Sequence, residues 1–535
     1  MQPQGNSQQP VYIMKNGTQQ TNGSAAQRGN IGAAKAVADA IRSTLGPLGM
    51  DKMLIDPAGN ILITNDGVSI LREIGIEHPA AKMIVEVAKT QEDKCFDGTT
   101  SAVVLAGALL AEAERLLDKN IHPTTIIKGY RMARDYCVKE LKEWVKTKDI
   151  QLKELQEKHK AAASTSLTGK SAEGIRSFLV DICDRAVQAV ESFEDIQILS
   201  ASGKGELDTM LVSGVVVERP LCNPSMKKDI LDAPILLLDT GIEPRDTKMD
   251  AQVQITSPDQ VASFLQQEED AIKEMVDKII ESKAEVVFTQ KKVDDLALHY
   301  LLKGGIVVID NVQKSSLVSL AKETGGTIVS SLSQPIGKDN LGRGDYHLNE
   351  KFDNELVFIT ARSSKYQTHA TIIASGATRH VAEEIERALE DAVGVCWLAW
   401  NEDVLPGGGA THAHLHGSLS VDEMDRKHGN GRVGMAIEAY REALMSIPES
   451  IAENAGLDPV DARSSLLHYH ATGPGEPWHI NIENAETPAH ARQTGLVEPL
   501  SLHTQALTSA TEAAIMILRI DDVIRMNPEG AKSPM

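Results

Sequence analysis

The sequence predicts a multidomain protein of the α and α/β classes, in which two mostly helical parts bracket an α/β insert. Three observations lead there. The first is length: 535 residues should divide into about two to four domains with ample apolar material for real cores. The second is periodicity. Apolar residues recur at helical spacing from Ile31 to about Leu199 and again from about Gly376 to Met526. The third is a change of texture from Met210 onward, where short apolar runs alternate with helical stretches. If the two helical ends share one core, the chain leaves a domain and later returns to it.

In order, the N-terminal arm is polar and rich in Gln, Asn and Gly up to about Arg28, with no apolar leader segment. Ile31 to Leu45 reads as a helix stopped by Gly46-Pro47. The following loop, Thr44-Leu45-Gly46-Pro47-Leu48-Gly49, can present backbone amides. Met53-Leu54-Ile55 and Ile61-Leu62-Ile63-Thr64 read as a hairpin, and Asn65-Asp66-Gly67 as the turn that opens the next helix. Helices then dominate, one of them opened by His122-Pro123-Thr124-Thr125, and Ser164 to Lys170 forms a polar break. In the insert, Val215 to Val217, Ile235 to Leu238, Val286 to Phe288, Ile306 to Ile309 and Thr327 to Val329 are strands. Asp259 to Ser282 and Val293 to Leu302 are helices between them. Val381 to Trp400 is helical, and Gly407-Gly408-Gly409 leads into further helices. Arg343-Gly344-Asp345 reads as a turn.

Hydrophobic residues make up 42% and charged residues 24% of the chain, and the formal net charge is -21. Such a balance argues against nucleic-acid binding and names no substrate. Five dispersed cysteines without a CxxC pair fit a reducing, cytoplasmic setting. No run approaches the roughly 18 consecutive apolar residues of a membrane span.

The chemistry centres on Asp97-Gly98-Thr99-Thr100-Ser101, which opens a long amphipathic run with Asp97 or Thr99 near its N-cap. A helix start offers unpaired N–H groups and the positive end of the dipole to a phosphate. Gly98 admits close approach, and the hydroxyls add donors. Asp97 would repel phosphate unless a divalent cation stood between them, so the cluster makes most sense with Mg²⁺ and a nucleotide. The five residues alone also fit an ordinary capped helix.

Taken together the segments resemble the group II chaperonins, the archaeal thermosome and its eukaryotic cytosolic relatives. The matching stretches are Thr44 to Leu54, Thr64-Asn65-Asp66-Gly67, Asp97 to Ser101, Ser166 to Lys170, Glu384 to Ala392 and Pro406 to Ala410. Glu453-Asn454-Ala455-Gly456-Leu457-Asp458-Pro459, Gly495 to Pro499 and Thr504 to Asp522 complete the series, in the family's order. The resemblance implies a mostly helical equatorial ATPase domain (1–150 and 408–535), a small intermediate domain (151–220 and 373–407) and an α/β apical substrate-binding domain (221–372). A built-in helical lid is implied near Val253 to Asp270, where Val261, Phe264 and Leu265 precede the run Gln266 to Asp270. It also implies a chaperone that uses ATP and Mg²⁺ to fold unfolded client proteins inside a double ring of its own or paralogous subunits.

Site residues follow from the same resemblance. Thr44, Leu45, Gly46 and Pro47, together with Gly67 and Asp97 to Ser101, would hold the phosphates, with Asp97 the Mg²⁺ ligand. Asp66 and Asp391 match two aspartates beside the attacking water; each alone reads as a turn or a solvated helix carboxylate. Gly408 would let backbone approach the nucleoside, Glu498 matches an acidic residue at the ribose, and Lys170 resembles a lysine that senses the terminal phosphate.

Four positions depart from the family's usual text. Phe96 stands where glycine is usual, and a positive φ there would be strained. His412 replaces a glutamate, His479 a glycine and His503 a lysine. The resemblance therefore implies an intact phosphate half and an altered adenosine half. Two motifs are decoys. Ser164 to Ser171 ends like a P-loop but lacks its first glycine. His412, His414 and His416 have ligand-like spacing, with no Cys or carboxylate pattern to complete a metal site. A slowly hydrolysing subunit of a mixed ring is the second reading. A small-molecule kinase is the third, though no motif for a second substrate is present.

Overall fold

The computed structural model describes residues 19–55, 57, 59, 61–146, 157–170, 174–243, 258–353, 355–361, 368–419, 431–473 and 475–525. The chain forms two compact units: Met1–Thr165 with Asn401–Met535, and Ser166–Trp400. The first unit is thus assembled from both ends of the chain.

The discontinuous unit is a helical body. Helices Gly23–Arg42, Pro79–Cys95, Thr99–Asp118, Pro123–Trp144, Gly431–Leu444 and Leu500–Leu518 bury their apolar stripes against one another. Thr99–Asp118 is central, with Val103, Val104, Leu105, Ala106, Leu109 and Leu110 all buried. A second core joins Leu45, Val104, Ala413, Ile447, Ile451, Leu466 and Ile480. It ties the loop after the first helix to the Thr99–Asp118, Ala410–Ser418 and Ser446–Asn454 helices. The expected hairpin is present as Lys52–Ile55 paired with Ile61–Thr64. The first helix begins earlier than its apolar text indicates. Gly23–Arg42 turns only Ala26 and Asn30 inward before Ile31, so its polar first turns hide the periodicity. Gln19–Asn22, directly before it, pairs antiparallel with Asp522–Arg525.

The continuous unit holds two sheets. Among the described residues the larger has seven strands, in the order Val215–Glu218, Leu356–Thr360, Gly342–Asn349, Asp229–Leu238, Val286–Thr289 and Val307–Ile309, with Ile328–Val329 beside Asp229–Leu238. The Asp229–Leu238, Val286–Thr289 and Val307–Ile309 strands run parallel. Where they pair, at Ile235 to Leu238, Val286 to Phe288 and Val307 to Ile309, the text is continuously apolar, with Leu236, Leu237, Val287, Phe288 and Val308 buried, as a sheet covered on both faces requires. Helices Pro258–Ser282 and Asp295–Lys303 make the crossovers. A smaller sheet sets Ala370–Gly376 between Ile196–Ser202 and Met210–Ser213.

Two expectations need correcting. Ile196–Ser202 is a strand, where the sequence reads helical as far as Leu199. Arg343-Gly344-Asp345 lies inside the Gly342–Asn349 strand and is not a turn. The Asp345 carboxylate there accepts a hydrogen bond from Asp232 N at 2.7 Å, where the ladder shifts register between Gly344 and Tyr346. Asp232 sits at φ +55, so a polar, glycine-bearing text serves a bulge. Of the expected lid, residues 253–257 lie outside the described residues, and from Pro258 the segment belongs to the Pro258–Ser282 helix.

Candidate functional site

Within the discontinuous unit, the loop after Arg42 is locked by its own backbone. Gly49 N donates to Gly46 O at 3.0 Å and Met50 N to Ser43 O at 2.9 Å. Thr44, whose side chain is buried, returns its hydroxyl to Ile41 O at 2.8 Å. Asn454 closes the loop from the far end of the chain, its Nδ2 donating to Arg42 O at 2.9 Å and to Leu45 O at 2.7 Å. These bonds satisfy carbonyls that a helix end leaves open.

The N-cap of the Thr99–Asp118 helix is Gly98, between Asp97 and Thr99, and Gly98 (φ +77) has no side chain with which to cap the helix. The Asp97 carboxylate accepts instead from Gly98 N at 2.6 Å. The amides of the first turn are therefore left for a ligand, which is the anion-binding arrangement of a helix N-terminus. Asp66 caps the neighbouring Gly67–Glu73 helix, accepting from Val68 N at 3.3 Å and Ser69 N at 2.8 Å. A Cβ on Gly67 would stand 2.6 Å from Thr100 Oγ1, so only glycine lets the Asp66 turn lie against this helix start. Asp66, Gly67, Asp97, Gly98, Thr99 and Thr100 thus share one corner.

Phe96, just before it, has φ +63 in the left-handed region. A non-glycine residue there costs about 1 kcal/mol, which is the strain anticipated from its replacement of a glycine. Gln91 was missed by sequence reasoning. It is fully buried, and its Nε2 donates to Asp97 O and Leu502 O, both at 3.1 Å. A signal existed: Gln91 continues the buried stripe Ile84, Val87, Ala88 of its own helix, where an amide needs a polar reason to be. Asn454 offered no such signal.

The triple-glycine turn lies between the Val404–Pro406 strand and the Ala410–Ser418 helix. Gly408 has φ +60, and a Cβ there would stand 2.6 Å from the Leu496 side chain and 3.2 Å from His479. His479 is buried and held neutral, and its Nδ1–H donates to Ile480 O at 2.8 Å. Glu498, on the strand paired with Val404–Pro406, faces Gly407, whose Cβ would meet Oε1 at 3.0 Å. Its other oxygen is 2.9 Å from His503 Nε2. Burial pushes the Glu498 carboxyl up, but the close approach and charge of His503, with His412 behind it, hold it below the ordinary carboxylate value. The His412 and His503 rings meet edge to face with centroids 5.7 Å apart. Three of the four departures from the family text therefore fall in this half.

The continuous unit carries the remaining two residues. Lys170, in the turn after the Lys158–Leu167 helix, forms an ion pair with Asp391 on the Arg379–Asn401 helix. The structure thus brings together the lysine and the aspartate that sequence reasoning assigned separate roles.

Ser164 to Leu167 is helical and no P-loop. The three spaced histidines part company: His412 meets His503, His414 stacks on Trp144 at 3.7 Å, and His416 contacts Glu442 at 3.3 Å. Among the described residues no group of three or more His, Cys, Asp or Glu could hold a metal by itself. A cation at Asp97 would be held jointly with phosphate oxygens, as Mg²⁺ commonly is. Among the same residues no helix is long and apolar enough to cross a membrane.

Comparison with known proteins bears on this geometry. The model of the TCP-1/cpn60 chaperonin family matches residues 37–528. The chain is 44% identical over 527 residues to thermosome subunit beta of Thermococcus kodakarensis, covering 96% of this chain and 94% of that one. It is 43% identical over 526 residues to the thermosome subunit of Methanocaldococcus jannaschii (96% and 95%) and to thermosome subunit alpha of Archaeoglobus fulgidus (96% and 94%).

Proposed function

The chain belongs to the TCP-1/cpn60 chaperonin family as a group II chaperonin, and from that premise we propose that it folds unfolded client proteins by ATP hydrolysis at the site described above. The observation that carries this is the uncapped helix start at Gly98 with Asp97 beside it and the Asp66 turn packed on Thr100. Its amides and hydroxyls bind and orient the phosphates, while the Thr44 to Pro47 loop supports them from the common core. Asp97 would hold Mg²⁺, which would supply the charge neutralisation that phosphoryl transfer requires. Asp66 and Asp391 orient the attacking water, Lys170 answers to the terminal phosphate, and Gly408 and Glu498 take the nucleoside.

In this reading residues 1–150 and 408–535 are the equatorial ATPase domain. Residues 151–220 and 373–407 form the intermediate domain, and 221–372 the apical domain, with its lid near 253–270. Subunits of this chain, or of it and paralogues, stand in a cytoplasmic double ring. A catalytically weak member of a mixed ring is the second reading. It draws on Phe96, whose strained backbone adjoins the phosphate corner.

Phosphate release from the purified assembly under Mg-ATP separates the two. Wild type should hydrolyse ATP, and Asp391→Ala should still bind it while losing most turnover, a loss of transition-state organisation. Equal turnover in both proteins would remove Asp391 from catalysis. Negligible wild-type turnover with intact binding would favour the second reading.

A further inference from the structure

Gln91 is a buried amide that leaves one of its own atoms unsatisfied. It is closed to solvent and continues the apolar stripe Ile84, Val87 and Ala88 of the Pro79–Cys95 helix. Its Nε2 donates to Asp97 O and to Leu502 O, both at 3.1 Å, while its Oε1 is buried without a hydrogen bond among the described residues. Turning the amide over would set Oε1 against two carbonyl oxygens and orphan the donor as well, so its orientation is fixed. An orphaned acceptor costs stability, and an apolar residue on this stripe would carry no such cost. What sets Gln91 apart from its apolar neighbours is the two bonds it does make.

One of these bonds acts on the peptide next to the Asp97 carboxylate. The Asp97 carbonyl and the Gly98 N–H belong to one planar unit and point to opposite sides of it. Gln91 holds the oxygen, and the N–H donates to Asp97 Oδ1 at 2.6 Å. The direction of that carboxylate therefore follows from the setting of the peptide. Phe96 and Gly98 flank Asp97 at φ +63 and φ +77, and glycine tolerates the peptide in either orientation. Turned over, the peptide would present its carbonyl oxygen to the carboxylate in place of the N–H, and the two would repel. The helical ladder gives no help here, since Ala102 N donates to Gly98 O and not to Asp97 O. Leu502 anchors the amide: its carbonyl takes the second bond, and its side chain would stand 2.9 Å from a Cβ on Gly98. The nearby bond between the same two helices, Lys94 to Gln505 at 3.3 Å, is exposed, where water competes for both partners.

We propose that Gln91 is a positioning residue for Mg²⁺ binding: it locks the Asp97–Gly98 peptide and so keeps the Asp97 carboxylate aimed at the cation. The proposal rests on the reading of Asp97 as the Mg²⁺ ligand. Gln91 lies buried behind Asp97 and acts only through it. Without its donor the peptide samples both orientations, and in a share of the subunits the carboxylate is turned from the phosphate corner. Metal affinity falls in proportion to the share that stays competent. The amides of the first turn of the Thr99–Asp118 helix still meet the phosphates, so the hold on a metal-free nucleotide is kept.

The test is Mn²⁺ binding to the assembled protein–ADP complex, read by electron paramagnetic resonance, beside ADP affinity in EDTA, read by calorimetry. Gln91→Met removes both donors at similar volume. It should lower Mn²⁺ affinity about tenfold, as loss of an outer-shell partner does, and leave metal-free ADP affinity within about twofold. Val87→Ala loosens the same buried stripe one turn earlier and has no bond to the Asp97 carbonyl, so it should shift neither reading. Asp97→Asn should lower Mn²⁺ affinity at least as much as Gln91→Met. With that loss seen in Asp97→Asn, wild-type Mn²⁺ affinity in Gln91→Met would overturn the proposal, as would an equal fall in its metal-free ADP affinity or an equal Mn²⁺ loss in Val87→Ala. Wild-type Mn²⁺ affinity in Asp97→Asn, or no ADP binding by wild type, would instead overturn the reading of the site, and the proposal with it. Should Gln91→Met fail to assemble, Gln91→Glu decides. Of equal length and kept a neutral acid by burial, it has one donor for two carbonyls and should lower Mn²⁺ affinity by a smaller factor; wild-type affinity there would again overturn the proposal.

Discussion

Asn454 is the side chain through which the second half of the chain fixes the loop of the first. It is the last residue of the Ser446–Asn454 helix, and its two amide hydrogens go to Arg42 O at 2.9 Å and Leu45 O at 2.7 Å. Asn454→Ala removes both bonds at a half-buried site. At about 1 kcal/mol net for each neutral hydrogen bond, the loop should lose about 2 kcal/mol of local stability. Asn454→Asp keeps shape and volume but turns acceptor oxygens toward two carbonyl oxygens, so it should cost more, about 3 kcal/mol.

The readout is amide exchange at Gly49 and Met50, whose N–H groups are bonded to Gly46 O and Ser43 O. Asn454→Ala should speed their exchange about thirtyfold by local opening, and Asn454→Asp should speed it further. Mg-ATP affinity should fall in the same order, because the loosened amides brace the Thr44 to Pro47 loop proposed to hold the phosphates. An aspartate variant as protected as wild type, or milder than alanine, would refute the reasoning.

Two other perturbations follow from buried charge. His412 and His470 are held down to about 3 and about 4, in each case first by burial. Their native pKa values lie below the ordinary 6.5, so the unfolded chain takes up protons that the folded chain refuses. The stability they lend is complete above that value and is lost as pH falls toward the folded values. Urea midpoints should therefore drop below about pH 6.5, and His412→Leu should flatten that drop; an unchanged slope would count against it. In the continuous unit, Glu323 is fully buried and accepts from Ala361 N at 3.2 Å, Thr368 N at 3.0 Å and His369 N at 3.1 Å. Glu323→Gln sets an NH₂ against one or more of these donors and should cost about 3 kcal/mol in chemical denaturation of that unit; a neutral substitution would contradict the bonding described.

What the sequence determined by itself was whatever depends on residues close together in the chain. The Lys52–Ile55 and Ile61–Thr64 hairpin, the parallel apolar strands and the helix start after Asp97 are written in local alternation, continuous apolar runs and a glycine followed by hydroxyls. The chaperonin resemblance was legible for the same reason, since its phrases are contiguous. Where local text and local structure disagree, it misled. Arg343-Gly344-Asp345 has turn chemistry because it meets a bulge at Asp232 in another strand. The polar first turns of Gly23–Arg42 hid a helix that buries few residues there.

Only the tertiary structure could decide which distant residues meet. Gln91 reaches Leu502 and Asn454 reaches Arg42 and Leu45 across about four hundred residues of chain. Lys170 and Asp391, assigned separate roles in the sequence, turn out to pair. His412 and His503 looked like two independent departures from a family pattern. The fold sets their rings 5.7 Å apart behind Glu498, and so makes them one electrostatic unit. Spacing along a chain carries no information about such a contact, because it arises from packing two helices and a strand whose own patterns specify only which faces are buried.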